Sequence, residues 1–136
     1  MKLLCVSDIM HLHERALNEL GGGKSGILDP GRIDAAVARM SSGTEEDEFF
    51  VTLHEKAAAL LESLIQGHAF VDGNKRTAIL AANAMLELNG CVLSYEPEDV
   101  VHFAVAVATH EIDFDGIVEW LREHSEWRGG DDRADA

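Results

Sequence analysis

The sequence predicts an all-α fold, a single compact domain of about six helices. Three observations carry this. Apolar residues recur at three- and four-residue intervals in segment after segment. Side chains that start helices and glycines that stop them stand at the segment ends. Helices account for nearly every periodic segment, and no internal repeat or linker divides the chain. At 136 residues, 46% of them hydrophobic, the chain can bury a core without staples.

Ser7 can cap a first helix in which Ile9, Leu12, Ala16, Leu17 and Leu20 form one apolar stripe, ending at Gly21-Gly22-Gly23. His11 and His13 lie on it two residues apart, so they do not share a face and are expected as surface or packing histidines, not a metal pair. Gly21 to Gly26, with Lys24 and Ser25 inside it, is too flexible for a regular element and invites a loop that moves. Asp29-Pro30 gives a cap and a first-position proline to a second helix through Ile33, Ala36, Val37 and Met40. Ser41-Ser42-Gly43-Thr44 ends it, and Glu45 to Glu48 is a solvated acidic run.

Thr52 to Gln66 is apolar over much of its circumference through Leu53, Ala57, Leu60, Leu61, Leu64 and Ile65, as a central helix is. Glu55 and Lys56 on it are expected as partners or surface charges. Gly67 stops this helix and places His68 at its C-terminal end. A fourth begins near Asn74, carries Ala78, Ile79, Ala81, Ala82, Met85, Leu86 and Leu88, and stops at Asn89-Gly90. Val92 to Tyr95 is a short extended link. Pro97, among Glu96, Glu98 and Asp99, opens a fifth helix with Val100, Val101, Phe103, Ala104, Val107 and Ala108. Asp113 can cap a sixth with Ile117, Val118, Trp120 and Leu121. The domain is expected over residues 1–127, and 128–136 as a disordered acidic tail with nothing to bury.

A formal net charge of −14 argues against nucleic acid as the main partner and suits a basic one. No apolar run approaches a membrane-spanning length. Asp8 ends the apolar start well short of a signal peptide's hydrophobic region. Two cysteines, Cys5 and Cys91, are too few for a disulfide framework, so a reduced, cytoplasmic setting is expected. The lysines are only Lys2, Lys24, Lys56 and Lys75, and against that background the Lys75-Arg76 pair opposes the sign of the chain.

That pair closes the stretch His68-Ala69-Phe70-Val71-Asp72-Gly73-Asn74-Lys75-Arg76, which crowds chemically capable side chains between two core helices. His68 is a possible general base and Asp72 a hard oxygen ligand for Mg²⁺. Asn74, Lys75 and Arg76 are donors, Gly73 lets the backbone approach an anion, and the start of the next helix adds unpaired N–H groups and the positive end of its dipole. Together they describe an anion cradle with phosphate as the expected occupant. Phe70 is expected to anchor one side of the loop. Alone, a histidine ending a helix or an Asp-Gly-Asn turn is usually structural.

The stretch resembles the signature loop of the Fic/Doc family: His, any residue, Phe, any residue, an Asp/Glu/Asn, a small residue, Asn, Gly or Lys, Arg. The resemblance runs across about residues 3 to 125 and includes Gly26-Ile27-Leu28-Asp29, Glu55 to Leu61 and Leu86 to Gly90. It implies the all-α Fic/Doc fold, with Gly21–Gly26 as a flap beside the active site. Nucleotidyl transferases of the family have Gly where Lys75 stands and a further Arg where Ile79 stands, so the loop is similar to the Doc (death-on-curing) type. That resemblance implies a toxin of a toxin–antitoxin system that transfers the γ-phosphate of ATP, with Mg²⁺, to a protein hydroxyl. The implied target is a threonine of elongation factor Tu, with translation blocked, and the implied partner is a small cognate antitoxin. His68, Lys75 and Arg76 are the expected catalytic residues, Gly73, Asn74, Lys75 and Arg76 the nucleotide-binding ones, and Asp72 the metal ligand. The alternatives are nucleotidyl transfer and an inactive binding module. The family's self-inhibitory pattern, Ser or Thr, three residues, Glu, then Gly or Asn, is not met, because Asp47 follows Glu46 in Ser42–Glu46. Control must then come from outside.

Overall fold

The computed structural model describes residues 1–19, 21–42 and 49–128. Leu20, the acidic run Glu45–Glu48, most of the Ser42–Asp47 stretch and the tail from residue 129 lie outside the described residues. The helices are α1 (Val6–Glu19), α2 (Pro30–Met40), α3 (Leu53–Gly67), α4 (Asn74–Leu88), α5 (Pro97–Ala108) and α6 (Phe114–Glu123). The expected all-α domain of six helices is what forms.

Local chemistry explains most boundaries. Asp29 accepts from the Gly31 N–H ahead of Pro30, and Asp113 accepts from the Gly116 N–H at the head of α6. Thr52 and Glu55 form a reciprocal capping box on α3: Thr52 accepts the Glu55 N–H at 3.1 Å, and Glu55 accepts the Thr52 N–H at 3.0 Å. Ser7 does not cap α1. The helix begins at Val6, two residues before the start that a Ser7 cap implies, and Asp8 reaches back to accept the Cys5 N–H at 2.8 Å. A carboxylate in the first turn satisfies that donor with a full charge, which a hydroxyl cannot.

Helix α3 is the centre of the molecule and packs against α2, α4, α5 and α6. Ala57, Ala58 and Ala59 on α3 and Ala78, Ala81 and Ala82 on α4 are all buried. Small side chains of this kind let two helix axes approach closely. Around them Leu60, Leu61, Ile65, Met85, Leu86, Val107, Ile117 and Leu121 fill the core. Glu55 is explained by its cap, whereas Lys56 is only 5% exposed, so of the two expectations for it, partner or surface charge, the second does not hold. A lysine's four-carbon stem can follow an apolar helix face inward.

Two elements do not follow from the periodicity. Cys91–Leu93 and Ser125–Trp127 form strands β1 and β2, paired antiparallel with Val92 opposite Glu126. Part of the extended link is therefore a strand. Arg128, assigned to the tail, donates its backbone N–H to Gly90 O at 2.9 Å and continues this pairing. The ladder ties the end of α6 to the end of α4.

Candidate active site

The chain between α3 and α4 is built from its two ends. Helix α3 runs through Gly67, and the left-handed residue that turns the chain is His68 itself, with φ 49° and ψ 49°. At the other end Gly73, also left-handed with φ 79°, precedes α4. A β-carbon at Gly73 would meet Leu17 Cδ2 at 3.2 Å and His13 Cδ2 at 3.6 Å. Its glycine is thus required by the turn and by packing on α1, as well as by any approach of a ligand.

Between these ends Phe70, 1% exposed, is the expected anchor. Asn74 staples the turn: Phe70 N–H donates to Asn74 Oδ1 at 3.0 Å, and Asn74 Nδ2 donates to Phe70 O at 2.9 Å. The Asn74 amide thus holds the loop through both its oxygen and its nitrogen, and its backbone N–H lies in the first helical turn. The Gly21–Gly26 segment and the residues after it lie along the same loop. Val71 N–H donates to Gly26 O at 3.1 Å, Leu28 N–H to Ala69 O at 2.7 Å, and Ile27 bridges Phe70. At Gly23 an added β-carbon would stand 2.6 Å from Asp72 Oδ2, so only glycine lets the segment pass there.

Asp72 is half-exposed, its Oδ1 accepting from Gly73 N–H at 2.8 Å and its Oδ2 from Lys24 N–H at 3.4 Å. The Gly73 N–H, then the Lys24 N–H, hold the carboxyl below the usual carboxylate range, with Arg76 and His13 adding smaller pulls. Arg76 donates from Nη1 to Ala16 O at 3.2 Å, and its Nη2 stands 3.9 Å from Asp72 Oδ1. Lys75 and His68 are exposed. His13 is not a surface histidine: it is 4% exposed, stacks on Phe70 at 3.7 Å, and its Nε2 lies 2.8 Å from Asp72 O. His11 is exposed.

These residues share one cavity of about 670 Å³, within the usual range for a small-molecule site. His68, Asp72, Gly73, Asn74, Lys75 and Arg76 line one side, and every expected site residue is among them. The cavity is also lined by residues that the motif does not contain: Tyr95 before α5, and Pro97, Val100, Val101, Ala104 and Val105 along it. Val101 is 58% and Val105 44% exposed. The available signal was that α5 carries more apolar residues than one buried face needs. A cavity lined by both cationic donors and apolar side chains fits a ligand with an anionic and a flat apolar end, as a nucleotide has. Mg²⁺ also fits the residues present: no group of three ligating side chains gathers among the described residues, but this ion is commonly held by one carboxylate plus substrate phosphates. Asp72, ionised and half-exposed at the cavity edge, is such a carboxylate.

Comparison with known proteins gives a consistent picture. The profile of the Fic/DOC family matches residues 3–86. The chain is 43% identical over 105 residues to "Toxin Doc" of Mycolicibacterium smegmatis, covering 74% of this chain and 78% of that protein. It is 32% identical over 122 residues to "Protein kinase doc" of Escherichia phage P1, covering 90% of this chain and 94% of that one. Among the described residues no helix is long and apolar enough to cross a membrane.

Proposed function

This chain belongs to the Fic/DOC family, and from that premise we propose that it is a Doc-type toxin that transfers the γ-phosphate of ATP to a protein hydroxyl. The observation that carries the reading is Lys75, in the first turn of α4 next to Arg76 and lining the same cavity as His68. A lysine there adds volume and positive charge where nucleotidyl transferases of this family have glycine. It disfavours their nucleotide pose and attracts the terminal phosphates from another direction.

In this reading the incoming hydroxyl gives its proton to the His68 imidazole as its oxygen bonds to the γ-phosphorus. The bond from that phosphorus to the bridging oxygen breaks, and ADP leaves. Lys75, Arg76 and the N–H groups opening α4 balance the charge that develops on the phosphoryl oxygens. Mg²⁺, held by Asp72 when bound, supplies further neutralisation of the phosphates. Val100, Val101 and Ala104 offer apolar surface in the same cavity for the flat end of the nucleotide.

The proposed target is a threonine of elongation factor Tu, which would block translation in the cytoplasm, and the proposed partner is a cognate antitoxin. Both rest on the resemblance to Doc toxins, and the toxin relatives support the second. The test is intact-mass analysis of elongation factor Tu after incubation with this protein, ATP and Mg²⁺. A single phosphate adduct is expected; an adenylyl adduct or an unmodified factor would contradict the reading.

A further inference from the structure

We propose that His13, which lies outside the loop, is a positioning residue for Asp72, fixing the direction in which its carboxylate faces the cavity. The inference rests on the reading of Asp72 as the carboxylate that holds the metal. His13 Nε2 lies 2.8 Å from Asp72 O, across 59 positions of sequence. A carbonyl only accepts, so Nε2 carries the hydrogen, as it does in one neutral tautomer and in the imidazolium.

The peptide that joins Asp72 to Gly73 is one rigid plane. Its carbonyl end is held by His13, and its N–H end donates to Asp72 Oδ1 at 2.8 Å. Fixing the plane at one end therefore aims the N–H at the other, and the N–H seats the carboxylate. The imidazole face adds a second hold: it lies 3.7 Å from the Phe70 ring at an interplanar angle of 8°. His13 is itself held on α1 and is 4% exposed, and a β-carbon added at Gly73 would come within 3.6 Å of its ring. One buried side chain thus clamps the loop on both sides of Val71, which makes it an outer-shell partner of the metal site.

A packing histidine and a positioning one differ in what their variants do. His13→Gln keeps an N–H donor near the Nε2 position, His13→Asn has the same chemistry but is too short to reach, and His13→Phe keeps the stacking ring without a donor. Three quantities are read: amide exchange at Gly73 without nucleotide, the Mg²⁺ concentration for half-maximal binding of a non-transferable ATP analogue, and the melting midpoint. Positioning predicts that Asn and Phe speed Gly73 exchange and raise the half-saturating Mg²⁺ about tenfold, while Gln stays within about threefold of wild type. The order should not follow the melting midpoints. Equal exchange and equal Mg²⁺ dependence in all variants would overturn the proposal, leaving His13 a packing residue. If the Phe variant does not fold, the Gln and Asn pair decides. If wild-type protein binds the analogue without regard to Mg²⁺, the metal reading of Asp72 fails on its own, and Gly73 exchange still decides whether His13 holds the peptide.

Discussion

At His68 the backbone is left-handed, with φ 49° and ψ 49°, where a β-carbon crowds the following carbonyl at a cost of about 1 kcal/mol. The chain keeps this strain at the residue proposed to take the proton, a pattern seen where function requires a conformation that stability disfavours. His68→Gly should leave the protein as stable as wild type or up to about 1 kcal/mol more stable, while transfer is abolished and ATP binding persists. Paired melting and turnover measurements check this, and substantial residual turnover would remove His68 from the base role. Asp72→Asn should weaken Mg²⁺-dependent ATP binding, read from a Mg²⁺ titration. Because hydrogen bonds hold the Asp72 carboxyl below its ordinary 3.8, the charged form persists as pH falls from 7 to 5, and metal binding through it should not decline there. Its stabilising contribution is present above the unfolded value and is lost only as pH falls through the lower folded one. The loop was legible because its residues are contiguous and chemically distinct. The role of His13 was not: its contact is made 59 positions away, and helical periodicity separates it from His11 without saying what it faces. Nor does an asparagine side chain reveal in sequence that both its hydrogen-bonding ends return to one residue, as those of Asn74 do to Phe70.

Helices were readable wherever a cap and an apolar stripe coincide. Thr52 with Glu55 and Asp29 with Pro30 are examples, and the first helix starts two residues before the place a Ser7 cap implies, with Asp8 accepting the Cys5 N–H. Strands β1 and β2, three residues each, are too short to show alternation, and their pairing is set by α6 returning the chain past the end of α4. The apolar wall of α5 was seen as part of a helix but not as the face of a cavity, since an exposed valine and a buried one look alike in sequence. The Thr52 capping box supports the N-terminus of the central helix. Thr52→Ala should therefore cost about 1 kcal/mol, lowering the melting midpoint by a few degrees, with ATP affinity unchanged because the cap lies at the far end of α3 from His68.

Across the whole molecule a net charge of −14 repels itself, and the groups proposed to receive ATP are a small cationic island in that field. Added salt should raise the melting midpoint from low to moderate ionic strength by screening this repulsion. The same salt should alter ATP binding in the opposite sense if Lys75 and Arg76 carry it, so the two titrations together separate the fold's electrostatics from the site's. The central claim is the direction in which the nucleotide lies, and the most direct measurement is label transfer from ATP carrying the label in its γ- or its α-phosphate to elongation factor Tu. The account predicts label on the factor from γ-labelled ATP only, with threonine as the acceptor, and loss of that label in Lys75→Gly. Label arriving from α-labelled ATP with the wild-type protein would contradict it.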